Sequence, residues 1–206
     1  MLAMPRFTAS LIAIGVLVLL GLLVRYQTAA STRGVFASLV EGADGRLSTS
    51  KFQWLLWTVV AMFAFVQVTA ERLLRGLSIG DPASPDMPVN LLIAMGLSTA
   101  TMVVAKGVTS AYARDGLVDK SGAARVQRGG LLTDDDGVVD LSKAQMASFT
   151  LIAIAFYLIR LLGQPGSAPV MVDIDGTLMA LMGLSQGGYL GKKMATRDPP
   201  PRTQAP

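Results

Sequence analysis

The chain has 206 residues, 51% of them apolar and only 16% charged, with a formal net charge of +4. A soluble globular domain carries about 25% charged residues, so this composition belongs to the membrane class. There is no cysteine and no histidine, which excludes disulfides, thiolate nucleophiles, haem ligation, the usual zinc sites and imidazole acid/base chemistry.

A bilayer core of about 30 Å needs roughly 20 apolar residues as helix, and five stretches meet that test. The first runs from Phe7 to Val24 between Arg6 and Arg25. Its leucine, isoleucine, valine and phenylalanine content is worth roughly −4 to −7 kcal/mol of insertion free energy. A cleaved signal peptide is the competing reading, because Thr28-Ala29-Ala30 loosely resembles a cleavage site; it would leave a basic loop outside, and Arg25 follows the apolar run directly. The short mixed piece Val35 to Val40 reads as lying along the interface, and Asp44-Gly45 reads as a turn.

The second span runs from Phe52 to Ala70, between Lys51 and Glu71, with Trp54 and Trp57 at the headgroup level. Gly80 to Pro88 holds three prolines and reads as a tight irregular connection. The third span runs from Met87 to Ala105 and ends at Lys106. The polar stretch Arg114 to Asp140, with Gly129-Gly130 and Asp134-Asp135-Asp136-Gly137, is a linker and not a domain. The fourth span runs from Ala144 to Leu162 with Arg160 near its end. The fifth runs from Gly176 to Gly191 and ends at Lys192 and Lys193. From Arg197 onward the proline-rich tail is expected to be disordered. No span carries a charge at its centre, where an ionisable residue would mark function.

The expected fold is therefore an all-α integral membrane protein of about five transmembrane helices. Residues 1–30 form an N-terminal transmembrane helix, 31–113 a first helical hairpin, 114–135 a polar linker, 136–195 a second hairpin and 196–206 the tail. Lysine and arginine number 14 on the side of the first loop, linker and C-terminus and 4 on the other. Because these residues translocate poorly near span ends, the N-terminus is expected outside and the C-terminus in the cytoplasm, as in a bacterial inner membrane. Topology also explains the basic residues better than nucleic-acid binding does.

Comparing the chain with itself reveals a repeat. Asp44-Gly45, Ser50-Lys51-Phe52-Gln53 and Thr58 recur as Asp136-Gly137, Ser142-Lys143-Ala144-Gln145 and Thr150 at a constant shift of 92. Met95-Gly96-Leu97-Ser98 with Lys106 recurs as Met182-Gly183-Leu184-Ser185 with Lys193 at a shift of 87. Both units begin on one side by the charge count, so they are parallel repeats, unlike the inverted repeats of many transporters.

Each motif has a structural job. Ser50 with Gln53, and Ser142 with Gln145, have the spacing of a capping box and are expected to cap their helices. A calcium loop fails, because Val40 or Leu132 falls where the first ligand belongs and Lys51 or Lys143 where the glutamate belongs. Gly183, Gly187 and Gly191, with Gly96 and Ala100 as a shorter version, form small-residue faces that let helices pack closely. With few leucines, the fifth span is expected inside the bundle. Ser98, Thr101, Ser185 and Gln186 either line a pore or make interhelical hydrogen bonds, and packing is the commoner meaning. Asp81, Asp86, Asp173 and Asp175 lie in the two outer loops, as solvated residues or as an acidic vestibule.

The paired S-K-x-Q starts and the M-G-L-S-Q-G-G-Y-L-G-K-K end resemble a group of uncharacterised bacterial integral membrane proteins with a duplicated two-helix unit. The resemblance covers residues 44 to 195 and implies no site or substrate. The first unit departs from the glycine-rich version at Thr99, Ala100 and Thr101.

The function expected first is a non-enzymatic membrane module, a scaffold, anchor or subunit. It would associate with itself or a partner membrane protein through the small-residue faces and dock through the linker. A small channel or permease is the alternative. No catalytic residue, cofactor or metal is expected, no small-molecule substrate is identifiable, and an intramembrane enzyme lacks a base or metal site.

Overall fold

The computed structural model describes residues 3–27, 34–41, 47–78, 87–114, 130–133, 138–165 and 168–195. Its helices are α1 (Ala3–Gln27), α2 (Val35–Val40), α3 (Thr49–Leu74), α4 (Val89–Arg114), α5 (Leu141–Leu162) and α6 (Gly176–Ala195). The protein is an all-α membrane protein, with five long helices and one short one among the described residues. Four of them, α1, α3, α4 and α5, are long and apolar enough to cross a bilayer. The fifth, α6, has the length but dilutes its leucines with glycine, serine and glutamine. Most of the linker, the tail, both Asp-Gly pairs, Asp81 and Asp86 lie outside the described residues.

α3 packs on α4, α4 on α6, α6 on α5 and α5 on α3, so these helices close a four-membered ring; α1 lies outside along α3, and α2 meets both. At the end where α3 and α5 begin, here the near end, Thr49 Oγ1 donates to the Leu131 carbonyl at 2.6 Å and Gln53 Nε2 to Thr150 Oγ1 at 2.9 Å. At the far end a single arginine, Arg6, reaches both Glu71 late in α3 and the Leu162 carbonyl ending α5. α3 and α5 therefore run the same way. α4 and α6 do too, since Asn90 Nδ2 donates to the Ile174 carbonyl before α6 and Thr101 meets Gln186.

The surface is that of a chain dissolved in lipid. Leu19 is 67% exposed, Ile159 68% and Phe156 55%, and the apolar faces of α1, α4 and α5 carry many similar residues. Water-soluble monomers rarely expose contiguous apolar patches of that extent. α1 buries Ala9 and Ala13 completely, and Val16, Leu17, Leu20 and Val24 farther along are half-buried. The four-residue spacing of the two alanines puts both on one face, where absent side-chain bulk lets α1 approach α3.

The glycine faces do not hold the bundle together, which corrects the expectation for them. A Cβ placed on Gly183 would reach Leu97 Cδ2 at 3.9 Å, whereas at Gly96, Gly187 and Gly191 it would meet nothing within 4 Å. Ala100 is exposed as well. The reason is helical phase: α6 turns Met182, Ser185, Gln186 and Tyr189 inward, which sends Gly187 and Gly191 to the opposite face.

The helix caps are also corrected. The cap of α3 is Ser48, whose side chain accepts from the Lys51 N–H, and that of α5 is Asp140, accepting from the Ser142 and Lys143 N–H groups. Ser50 and Ser142 already lie inside the first turns, and Gln53 spends its amide on Thr150 rather than returning to a cap. Gln145 is exposed.

Candidate functional site

Just inside the near end the bundle interior is polar. Gln53 donates to Thr150 Oγ1, which in turn donates to the Met146 carbonyl at 2.9 Å. Opposite this α3–α5 pair, Thr101 Oγ1 donates to Gln186 Oε1 at 2.6 Å between α4 and α6. Each of the four helices therefore contributes one polar side chain, and all four are 1% exposed. Ser98, one turn along α4 from Thr101, and Ser185 beside Gln186 are buried too. The four residues read from sequence as either pore lining or interhelical bonds are thus brought together. Ser185 nonetheless turns its hydroxyl back to its own helix, at the Met182 carbonyl.

This layer is covered on both sides. Toward the near end, Ser50 Oγ and Tyr189 OH meet at 3.5 Å across α3 and α6, and Met146 packs on Tyr189 and Ala105. Toward the far end an apolar core begins at Trp57 and continues through Ala61, Ala64, Ile154 and Tyr157 to Leu161. The apolar stretch is the longer, as expected of helices whose middles lie in hydrocarbon.

At the far end lies a second constellation, which sequence reading placed only as a boundary. α3 does not stop at Glu71 but continues to Leu74, and the Glu71 side chain is 1% exposed. Arg6 Nε donates to it at 3.2 Å, Gln67 Nε2 at 2.8 Å and Arg75 Nη2 at 2.5 Å. Arg72, also buried, donates to the Pro169 and Ser78 carbonyls. A buried carboxylate survives only when paired and hydrogen-bonded, and Glu71 is both. One signal was present in the sequence: Gln67, Glu71 and Arg75 recur every four residues, which stacks them on one helix face.

The acidic residues of the described outer loop act as caps. Asp173 Oδ1 accepts from the Asn90 and Ile174 N–H groups at 3.1 and 2.9 Å, and Asp175 Oδ1 from the Thr177 N–H at 2.9 Å. Those backbone bonds at the start of α6 hold the Asp175 carboxyl below the usual carboxylate range.

The near end carries two loops built alike. Ser48 N donates to the Val40 carbonyl at 3.0 Å and Asp140 N to the Leu132 carbonyl at 2.8 Å. Lys51 Nζ donates to the Glu41 carbonyl and Lys143 Nζ to the Thr133 carbonyl, each at 2.6 Å. Antiparallel bridges join Glu41 to Leu47 and Thr133 to Val139. These pairs of residues keep the 92-residue shift seen in the sequence. The second loop adds an ion pair, Lys192 Nζ to Asp140 Oδ1 at 3.0 Å, which ties the end of α6 to the start of α5.

Comparison with known proteins gives no match to a family model, to a curated protein or to a solved structure.

Proposed function

We propose that the protein is a non-enzymatic membrane module, built from two copies of one helical hairpin, that assembles laterally with further copies of itself or with a partner membrane protein. The carrying observation is that Gly96, Gly187 and Gly191 face outward into open space. In lipid there is no hydrophobic force between helices, so association depends on close backbone approach, which small outward faces allow. The matched near-end loops support the duplication. The excess of lysine and arginine at that end supports a cytoplasmic near end in a bacterial inner membrane, with the N-terminus outside.

A channel has less support. Thr101 Oγ1 donates to Gln186 Oε1 and so ties α4 to α6, and the apolar core from Trp57 to Leu161 fills the bundle beyond them. Small-residue association is tested by replacing Gly187 and Gly191 with leucine in liposomes at graded protein-to-lipid ratio. Wild-type protein labelled with donor and acceptor dyes is expected to transfer energy, and the double variant to lose most of the transfer while keeping its thermal midpoint. Wild-type protein that stays monomeric at every ratio, or ion flux abolished by bulky residues at Ser98 and Ser185, would reverse this reading.

A further inference from the structure

The polar layer is incompletely satisfied from within the protein. Gln53 Oε1, Ser98 Oγ and Gln186 Nε2 are buried without a hydrogen-bond partner, and so is Trp57 Nε1, one turn beyond Gln53 on α3. Their grouping follows from the contacts between the helices. Ser50 meets Tyr189 across the bundle, and Gln53 and Gln186 lie three residues deeper on the same faces of their helices. Ser98 lies one turn from Thr101, which is bonded to Gln186.

Buried polar atoms left unpaired are costly, and native proteins satisfy them with each other or with ordered water. The chemistry of this set restricts the occupant. Gln53 Oε1 needs a donor, Gln186 Nε2 and Trp57 Nε1 need acceptors, and the Ser98 hydroxyl takes either. An anion would face the Gln53 carbonyl, a cation would face two N–H donors, and none of these groups carries a compensating charge. The occupant is therefore neutral, small and both donor and acceptor.

We infer that the layer formed by Gln53, Ser98, Gln186 and Trp57 is an internal water-binding site, with water bridging the α3 carbonyl oxygen to the α6 amide. Depth makes this reachable: Gln53 lies about 6 Å along α3 from its start, and Thr150 about 14 Å along α5. The cover between layer and near end is the Ser50–Tyr189 contact with Met146, whereas the apolar core seals the other side. The site is a wet pocket reached from the near end and not a path across the membrane, and it stands whether or not the protein associates laterally.

The test is solid-state NMR of the full chain in proteoliposomes with labelled glutamine, measuring magnetisation transfer from water to the side-chain amides. Gln53→Leu and Gln186→Leu assign the two signals. Fast transfer to both is expected, with the Gln53 signal losing it when Gln186 is replaced. Transfer as slow as to the core alanines would overturn the inference, and so would a direct bond between the two amides. Ser98→Ala gives a second readout: in a wet layer the thermal midpoint holds or falls, and in a dry one the loss of an unpaired hydroxyl raises it, which would equally overturn the inference.

Discussion

Asp140 occupies the position in the second hairpin that Ser48 occupies in the first, but it adds a charge that reaches α6. Burial pushes its carboxyl up, yet the Lys192 ion pair and the Lys143 and Ser142 N–H groups together hold it below the usual carboxylate range. A depressed value means that folding favours the ionised form, so this contribution is complete above the ordinary pKa of 3.8. It is lost as pH falls through the lower folded value. Asp140→Ala removes the cap and the tie at once. It is expected to lower stability by about 1 kcal/mol, within the range of roughly 0.5–2 kcal/mol found for lost caps. Asp140→Asn keeps the capping oxygen and is expected to restore most of the loss. Thermal unfolding in mild detergent measures both, and the gap between wild type and the alanine variant should narrow below pH 3.8. A gap that stays constant down to the folded value would contradict the assignment.

Between helices, the contact that locks α1 in place combines a bare seam with one charge. Ala9 and Ala13 bring the backbones together, and Arg6 then neutralises Glu71 and satisfies the terminal carbonyl of α5. This explains what was legible in the sequence and what was not. The long apolar helices, the separate short piece Val35–Val40 and the parallel order of α3 and α5 follow from local apolar length, charge and spacing. The interior position of Glu71 does not: its spacing from Gln67 and Arg75 puts the three on one helix face, but its partner Arg6 lies 65 residues away. The same holds for Gln53, whose partner Thr150 is 97 residues distant. Its capping-box spacing pointed to a local bond that the fold does not use. Glycine spacing was visible, but which face turns inward depends on helices elsewhere in the chain. The working small-residue seam is the alanine pair of α1. Ala13→Leu is therefore expected to overpack the α1–α3 contact by about 1–3 kcal/mol, while Gly191→Leu leaves the fold's midpoint unchanged. Comparing the thermal midpoints of the two variants checks which seam the fold uses. Equal midpoints would mean that α1 is not held by this face.

For the whole molecule the decisive property is that both hairpins enter from one side. The geometry requires it: Thr49 touches the loop that leads into α5, and Arg6 joins the ends of α3 and α5. The charge count is an independent argument, because it concerns insertion and owes nothing to packing. The absence of cysteine makes single-cysteine mapping clean, as every introduced thiol is the only one in the chain. Gly34→Cys and Val139→Cys probe the near end, and Ala168→Cys the far end; all three positions are exposed. With a membrane-impermeant maleimide on intact cells lacking an outer membrane barrier, the thiol at position 168 is expected to label, and those at 34 and 139 only after the membrane is opened. Labelling of 34 and 139 from opposite faces would break the parallel order of the hairpins. If 34 and 139 label together from outside, the hairpins stay parallel and the orientation inverts. The Gln53 layer would then lie beneath the external surface, and Glu71 with its partners Arg6 and Arg75 would lie toward the cytoplasm.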